Sequence, residues 1–587
     1  MRHSRLIFLL VLTLATLTAG AARVVIKGKV VDTDHRPLEF VTVRIAGTAI
    51  GTTTRTDGSF RLRCESKDTL TVIFSCIGYS EFRRQLLNAE GKVTVNQTMQ
   101  RSEQRLSEVE ITQLRKQTGP MRMIEGRKSY RLAADPSSSI ESMLATTGGV
   151  SGAGELSSQY SVRGGSYDEN AVYINGMEIY RPLLVTSGQQ EGLSAINPDL
   201  IDAIGFSAGG FSSEFADKMS SALDIRYRTP VRTGGSLSVS TMGAGATFEQ
   251  CAGGFSQLHG IRFKRNASLL STNDTKGEYD PKFFDYQTNL AWKISPAIRM
   301  SFLGNIAINH YRFTPTDRNT SFGTATDSKQ FKVYFDGNEK DRFETWWGAW
   351  SLDYMPVKNT MLSLTAGGFL TDELVTYDLQ GEYWLDEAGT GDAAIGGELG
   401  VGRYMEHARN RLKGTVCNIS LRGATAISRS NTLTYGINAT HQKIMERSRE
   451  WELRDSAGYS LPHDGLNLHM IYALTSNHDM SSNGFSAFIQ DQLKIDAASG
   501  FWHLTAGLRY TRLTFNEESL ISPRVSLGFI PAANPDWALR VAAGVYYQAP
   551  FYKEYRIIET DIEGNSRVKL NRNIKSQRSV HFIVGSD

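Results

Sequence analysis

A unit repeated from Gly235 onward constrains this chain most: about ten residues that alternate apolar and polar, followed by a break. Successive side chains of an extended segment point to opposite faces. Trp537, Leu539, Val541, Ala543, Val545 and Tyr547 therefore share one face, and Ala538, Arg540, Ala542, Gly544, Tyr546 and Gln548 the other. Trp502, Leu504, Ala506, Leu508 and Tyr510 oppose His503, Thr505, Gly507, Arg509 and Thr511 in the same way. So do Ile298, Met300, Phe302, Ile306 and Ile308 against Arg299, Ser301, Asn305 and Asn309. A soluble sandwich also alternates, but these apolar faces are long enough to cross a bilayer and end in aromatic residues, as the strands of a membrane barrel do. The apolar face suits lipid and the polar face a wet lumen. Beyond the first 25 residues no apolar run approaches the ~18 needed for a membrane helix, which excludes a helical membrane protein.

The breaks alternate in length. Short ones fall near Ser295-Pro296, Pro356 to Thr360, Ser428 to Asn431, Asp496 to Gly500 and Pro531 to Asp536, and a tight turn is expected at Gly243 to Gly245. Mostly longer ones, expected as loops, lie at 271–282, 311–340, 372–410, 454–482, 516–521 and 549–578. Barrels of this kind turn tightly on the periplasmic side and carry longer loops outside. Counting from Gly235 to Val584 gives about fourteen strands. Composition agrees: 54 Gly, 10% aromatics and only 15 Pro suit a β-rich chain with many turns. With 64 Lys+Arg against 61 Asp+Glu there is no basic excess to attract nucleic acid.

Ahead of the barrel lie four further segments. Residues 1–21 carry Arg2, His3 and Arg5, an apolar stretch from Leu6 to Leu17 and the ending Ala19-Gly20-Ala21, the pattern of a cleaved signal peptide. Residues 22–99 read as short alternating strands forming a small β-sandwich, with Val24, Ile26, Val30, Val41, Val43, Ile45, Phe60, Leu62, Leu70, Val72 and Phe74 at period two. Asp57-Gly58 predicts a type I′ hairpin turn, with positive φ at both positions. Gly28-Lys29-Val30, Pro37-Leu38, Gly47-Thr48, Asp57 to Leu62 and Ser75 to Tyr79 resemble the carboxypeptidase-regulatory-like domain. That resemblance implies a non-catalytic extension on an outer-membrane receptor of the Bacteroidota type. Cys64 and Cys76 read as two unrelated thiols rather than a disulfide pair.

The linker 100–122 is charged, and within it Leu106 to Thr112 alternates apolar and polar, a segment that another sheet could capture by strand addition. Glu108, Val109, Glu110, Ile111 and Thr112 resemble the TonB box of TonB-dependent outer-membrane transporters. In 123–230, Ser138-x-x-Glu141 predicts a capping box and a short helix through Leu144. Tyr160 to Ser166, with Arg163, Gly164 and Gly165, then Asn175-Gly176 between Val172, Ile174 and Ile179, and the Ile201 to Pro230 stretch, resemble the plug of the same family. Arg163, Gly164, Gly165, Asn175 and Gly176 are expected to be structural parts that help hold the plug in the lumen.

The predicted architecture is all-β dominated: a β-sandwich, then an α+β plug inside a transmembrane antiparallel barrel spanning 231–587. The resemblance implies 22 strands, so about fourteen leave the barrel incomplete and the chain looks truncated. It also implies a receptor in the cell outer membrane, its N-terminal domain in the periplasm, importing a scarce nutrient. Its partners would be TonB, outer-membrane lipid and an unidentified ligand; the type also admits a surface lipoprotein. A passive plugged porin or a surface adhesin is the alternative, and would need no segment 108–112. An exported hydrolase ranks below both. Gly205-Phe206-Ser207-Ala208-Gly209 satisfies the G-x-S-x-G pattern, but all-β sequence follows it where a nucleophile elbow needs a helix. His463, Asp464, His469, His478 and Asp479 fall in one expected loop without metal-site spacing. Trp346 and Trp347 fit a membrane girdle better than a ligand platform. No catalytic residue, metal or cofactor is assigned.

Overall fold

The computed structural model describes residues 23–586 except 33–36, 39–40, 47, 49, 56, 66–68, 77–78, 88–90, 100–118, 120, 126–138, 153–156, 187–189, 191–192, 266–276, 325–327, 388–397, 429, 456–466, 535–536 and 563–564. The proposed signal peptide and the segment Glu108 to Thr112 lie outside the described residues. Two units are present, Met1–Arg115 and Lys116–Asp587.

In the first unit, alternation builds two four-stranded sheets around one core. One is centred on Arg23–Asp32, flanked by Ser59–Glu65, Lys92–Thr94 and Gln97–Met99. The other runs Gly51–Thr53, Thr42–Ile45, Thr69–Cys76, Tyr79–Leu87. The period-two residues from Val24 to Phe74 named above are all at most 5% exposed. Each contributes roughly 1.5–3 kcal/mol as a fully buried large apolar side chain. Phe60 and Phe74 meet edge to face across the core with centroids 5.7 Å apart. Cys64 and Cys76 are free thiols, and burial pushes the Cys64 thiol up. The expected type I′ turn does not form, because Gly58 takes φ 75° while the non-glycine residues with positive φ among those described are Arg163, Asn175 and Glu517. Asp57 instead accepts the Ser59 N–H at 3.0 Å, and a longer loop closes between Arg55 and Ser59.

The second unit begins with a five-stranded sheet in the order Met177–Glu178, Asn170–Ile174, Ser221–Tyr227, Ile201–Ser207, Arg122–Glu125. Its helix spans Ile140–Ala145, and Ser139 caps it by accepting the Ser142 N–H at 3.1 Å. The cap thus falls one residue after the predicted Ser138. Glu141 is buried and accepts the Ser194 hydroxyl at 2.7 Å; Ser138, its partner in the predicted capping box, lies outside the described residues. Around this plug runs an eighteen-stranded sheet, antiparallel except where Asn565–Leu570 pairs with residues 473–475. Four of its strands are short additions (Gly277–Tyr279, Arg318–Gly323, Arg556–Thr560, Asn565–Leu570), and the other fourteen form an up-and-down meander from Gly234–Ser240 to Gln577–Ser586.

Several expected loops prove to be ladder. Ser328–Val357, Thr360–Glu387, Glu398–Ala426, Asn431–Asp455 and His469–Ala497 have 25 to 30 residues each. At about 3.3 Å per residue they run far past the 9–11 residues that cross a bilayer. The arms keep pairing beyond the apolar band, as Phe331 with Leu385 and Arg409 with Arg449, because each backbone group remains satisfied by its neighbour. His469, His478 and Asp479 therefore sit on a strand, not in a loop. The turn expected at Gly243 to Gly245 lies at 241–242, and these glycines open the strand Gly243–Ala252.

Candidate functional site: the plug against the barrel wall

Alternation turns one face of most wall strands toward the plug, so that side chains expected to face a wet lumen are packed instead. Thr505, Arg509 and Thr511 are at most 8% exposed, whereas Leu508 and Tyr510 on the outer face are 45% and 43% exposed. Tyr546 and Gln548, expected to face water, are buried as well. Trp346 and Trp347 separate in the same way. Trp346 faces outward, while Trp347 leaves the girdle expected of it and packs with Ile174, Met177 and Leu223 of the plug.

Three polar clusters tie plug to wall. In the first, Arg262 pairs with Asp285 at 2.5 Å and donates to the backbone oxygens of Ser194 and Ile196. Gln287 extends it by accepting the Tyr227 hydroxyl at 2.6 Å and donating to the Ala195 carbonyl. In the second, Asp217 of the plug faces Arg509 at 3.3 Å and Arg524 at 3.5 Å, and accepts the Thr511 hydroxyl. One carboxylate thus meets two guanidiniums in a buried site. The rings of Phe211 and Tyr546 supply the remaining stabilisation, with Arg524 5.0 and 4.4 Å from their centroids. Arg524 also donates to the carbonyls of Ser212 and Phe215, and Tyr546 donates to that of Phe211. In the third, Glu373 accepts the backbone N–H groups of Leu183 and Leu184 at 2.8 and 2.5 Å, and Gln190 donates to Asp341 at 2.7 Å.

Above this third cluster the segment after Gln548 folds back over the plug. Tyr552–Tyr555 forms a short 3-10 turn, and Asn565–Leu570 pairs in parallel with residues 473–475. Tyr552 and Tyr555 share an apolar cluster with Leu184 of the plug and Phe343, Leu412, Ile444 and Met480 of the wall. Tyr552 donates to the buried Glu446 at 2.7 Å.

The residues singled out from sequence have distinct places. Asn175 and Gly176 take φ 50° and 81° at the tip of a hairpin in which Ile174 pairs with Met177. The Asn175 amide donates to Asn289 of the wall at 3.2 Å and accepts the Tyr227 N–H at 2.9 Å. Arg163 and Gly164 take φ 52° and 82°, the Arg163 N–H bonds the Gly149 carbonyl, and the Arg163 side chain is exposed. Gly165 sits where a side chain would strike Ser220 and Glu169. Gly205 to Ser207 end a strand and the chain turns back to the strand Ser221–Tyr227, so no elbow forms; Ser207 donates to the Gly209 carbonyl. Gly209 and Gly210 instead let the plug backbone approach the wall, since a Cβ on Gly210 would stand 2.9 Å from that of Ala542. His463 and Asp464 lie outside the described residues. The side chains of His478 and Asp479 diverge: the His478 ring donates to the Val568 carbonyl on the inner side, while Asp479 pairs with Arg447 outside. Within the plug, burial pushes the Tyr173 and Tyr227 phenols and the Glu178 carboxyl up, which keeps both phenols protonated; Tyr227 donates to Gln287, and Tyr173 accepts the Ala216 N–H at 2.7 Å.

Sequence reasoning missed Asp217, Arg262, Asp285, Gln287, Glu373 and Arg524. A charged residue on the inward face of a strand was the available signal, and it had marked Arg509 alone among the wall residues of these clusters.

Three protein families match the chain. The CarboxypepD_reg-like domain matches residues 26–111, the TonB-dependent Receptor Plug Domain 123–221, and the TonB dependent receptor-like, beta-barrel family 297–586. No curated protein sequence matches significantly. Among solved structures, the chain is similar to the outer membrane transporter YddB from Escherichia coli (12% identity over 73% of this chain and 61% of that one, TM-score 0.46). It is also similar to the RagAB peptide importer in the open-open state (10%, 82% and 65%, TM-score 0.49) and to the ferric-catecholate import receptor Fiu from E. coli K12 (10%, 74% and 86%, TM-score 0.31). The chain spans 61% of the length of the YddB chain and 65% of that of the RagAB chain.

Proposed function

We propose that this chain, which belongs to the TonB-dependent receptors by its plug and barrel domains, imports a scarce nutrient across the outer membrane. One observation carries the reading: the lumen is closed by a separate plug whose grip on the wall includes polar contacts at Asp217, Arg262 and Glu373. A passive pore gains nothing from a plug. A plug held partly by polar contacts can be displaced in steps, because a hydrogen bond to a charged group contributes only about 1.5–3 kcal/mol net and water can replace the partner once the contact opens. In this reading the long-loop end faces outward and takes the ligand, and the sandwich domain lies in the periplasm. Segment 108–112 is the strand offered to TonB, whose pull shifts the plug. The family is one of receptors, and no residue is assigned to catalysis.

Uptake by cells producing the protein tests this. Val109→Pro with Ile111→Pro removes two donors and the extended pairing that strand addition needs. Uptake should be abolished while membrane insertion is retained; unchanged uptake would favour the passive porin.

A further inference from the structure

Past the apolar band, successive rows of the ladder set acids and tyrosines on the inward face of the wall. One row runs Glu339, Tyr377, Ala408, Glu450 from strand to strand. On one side of it stand Asp341 and Asn410, joined through Val375, and on the other Glu406, directly opposite Glu452. Glu339, Tyr377, Glu406 and Glu450 are half-buried, as is Tyr472, which donates to Glu450 at 3.1 Å. Among the described residues Glu339, Asp341, Glu406 and Glu450 make no ion pair, because the bases nearby answer other acids. Arg454 pairs with Glu452, Arg556 with Glu446 at 3.4 Å, and Lys553 is attracted chiefly by Glu373. Acceptors are left over as well. Asn410 and Asp341 are 8% and 3% exposed; Asn410 donates to Glu450 at 2.6 Å and Asp341 accepts from Gln190, yet the Oδ1 of each is buried without a donor. Burial, with Glu339 beside it, pushes the Asp341 carboxyl up. Buried acceptors are seldom left without a donor. This face is therefore short of positive charge and of N–H groups alike.

We infer that it binds an organic polycation, a nutrient carrying several ammonium or guanidinium groups. Each such group brings both the charge and the multiple donors that are missing, and the rings of Tyr377 and Tyr472 among the acids add cation–π attraction. Spacing favours this ligand over a metal ion. Glu339 and Glu450 stand three strands apart, about 14 Å at ~4.8 Å per strand, whereas one calcium ion gathers its oxygens within about 2.6 Å. Among the described residues no three acidic, His or Cys side chains converge as metal ligands. The inference rests on the proposed import, of which it names the ligand class.

The test measures binding by the full chain in neutral detergent, by isothermal titration calorimetry in the absence of TonB. The probes are tetralysine, the same peptide with its amines acetylated, tetraglutamate and calcium chloride. Tetralysine should bind about tenfold or more tightly than the acetylated peptide. Glu406→Gln with Glu450→Gln should weaken it by roughly tenfold per carboxylate, since each removes a hydrogen bond to a charged group. Asp378→Asn, on the outward face of the same ladder, should leave binding unchanged. Tyr377→Leu should weaken it and Tyr377→Phe should not, because the ring face is kept. Should the double variant lose its heat-modifiable migration, Glu406→Gln alone carries the comparison. Equal binding of tetralysine and its acetylated form, indifference to the Glu variants, or tighter binding of calcium or tetraglutamate would overturn the inference. Binding as expected without uptake by cells supports the ligand class and counts against import alone.

Discussion

Gly176 sits at φ 81° beside Asn175 at φ 50°, in a turn whose side-chain amide reaches both the plug strand and the wall. Gly176→Val would force a β-branched residue into the left-handed region, costing about 1–3 kcal/mol. Limited proteolysis of the plug should become correspondingly faster than in wild type. Asp217 presents the opposite case, a charge rather than a conformation. Asp217→Ala would leave Arg509 and Arg524 facing each other in a dry site, and breaking a buried pair by removing one partner costs about 3–5 kcal/mol. The expected result is plug release at lower denaturant than barrel unfolding, read by protease sensitivity of residues 123–221 against the heat-modifiable band. At this scale the sequence was legible where the signal was local. Asn175-Gly176 announced its turn because I′ geometry needs those residue types. Asp217 could not be found, because its partners lie nearly 300 positions away and only the tertiary fold brings them together.

Elements follow from alternation, and the outer faces make that testable. Leu508 lies in the apolar band, 45% exposed on a strand whose next inward residue, Arg509, is 5% exposed. Leu508→Arg should cost up to about 2–4 kcal/mol of barrel stability, depending on its depth in lipid. Leu508→Ile, which conserves volume, should cost less than about 1.5 kcal/mol. Urea titration in lipid vesicles, read by electrophoretic migration, separates the two. Alternation also located the sandwich core from Val24 to Phe74, yet it misjudged where strands stop. Past the membrane, ladder arms such as 328–345 carry polar residues on both faces, so composition reads as loop while backbone pairing continues. The same ambiguity placed the helix cap one residue early, since Ser138 and Ser139 are equivalent as cap residues and only the Ser142 contact distinguishes them. Whether a lumen is filled or wet is invisible in one strand, because an inward Arg or Tyr looks alike against water and against a plug.

At the scale of the whole molecule, plug and wall form one unit with a shared apolar core, from Ile174 and Leu223 to Trp347 and Val416. The energised displacement of that plug is the central claim, and it requires a handle in segment 108–112. The measurement closest to it is photo-cross-linking in cells from a reactive residue at position 107 to TonB. The account predicts a TonB adduct for the otherwise wild-type chain, lost on Val109→Pro while the amount of protein in the outer membrane stays the same. No adduct without the proline, or an equally strong adduct with it, would contradict the account.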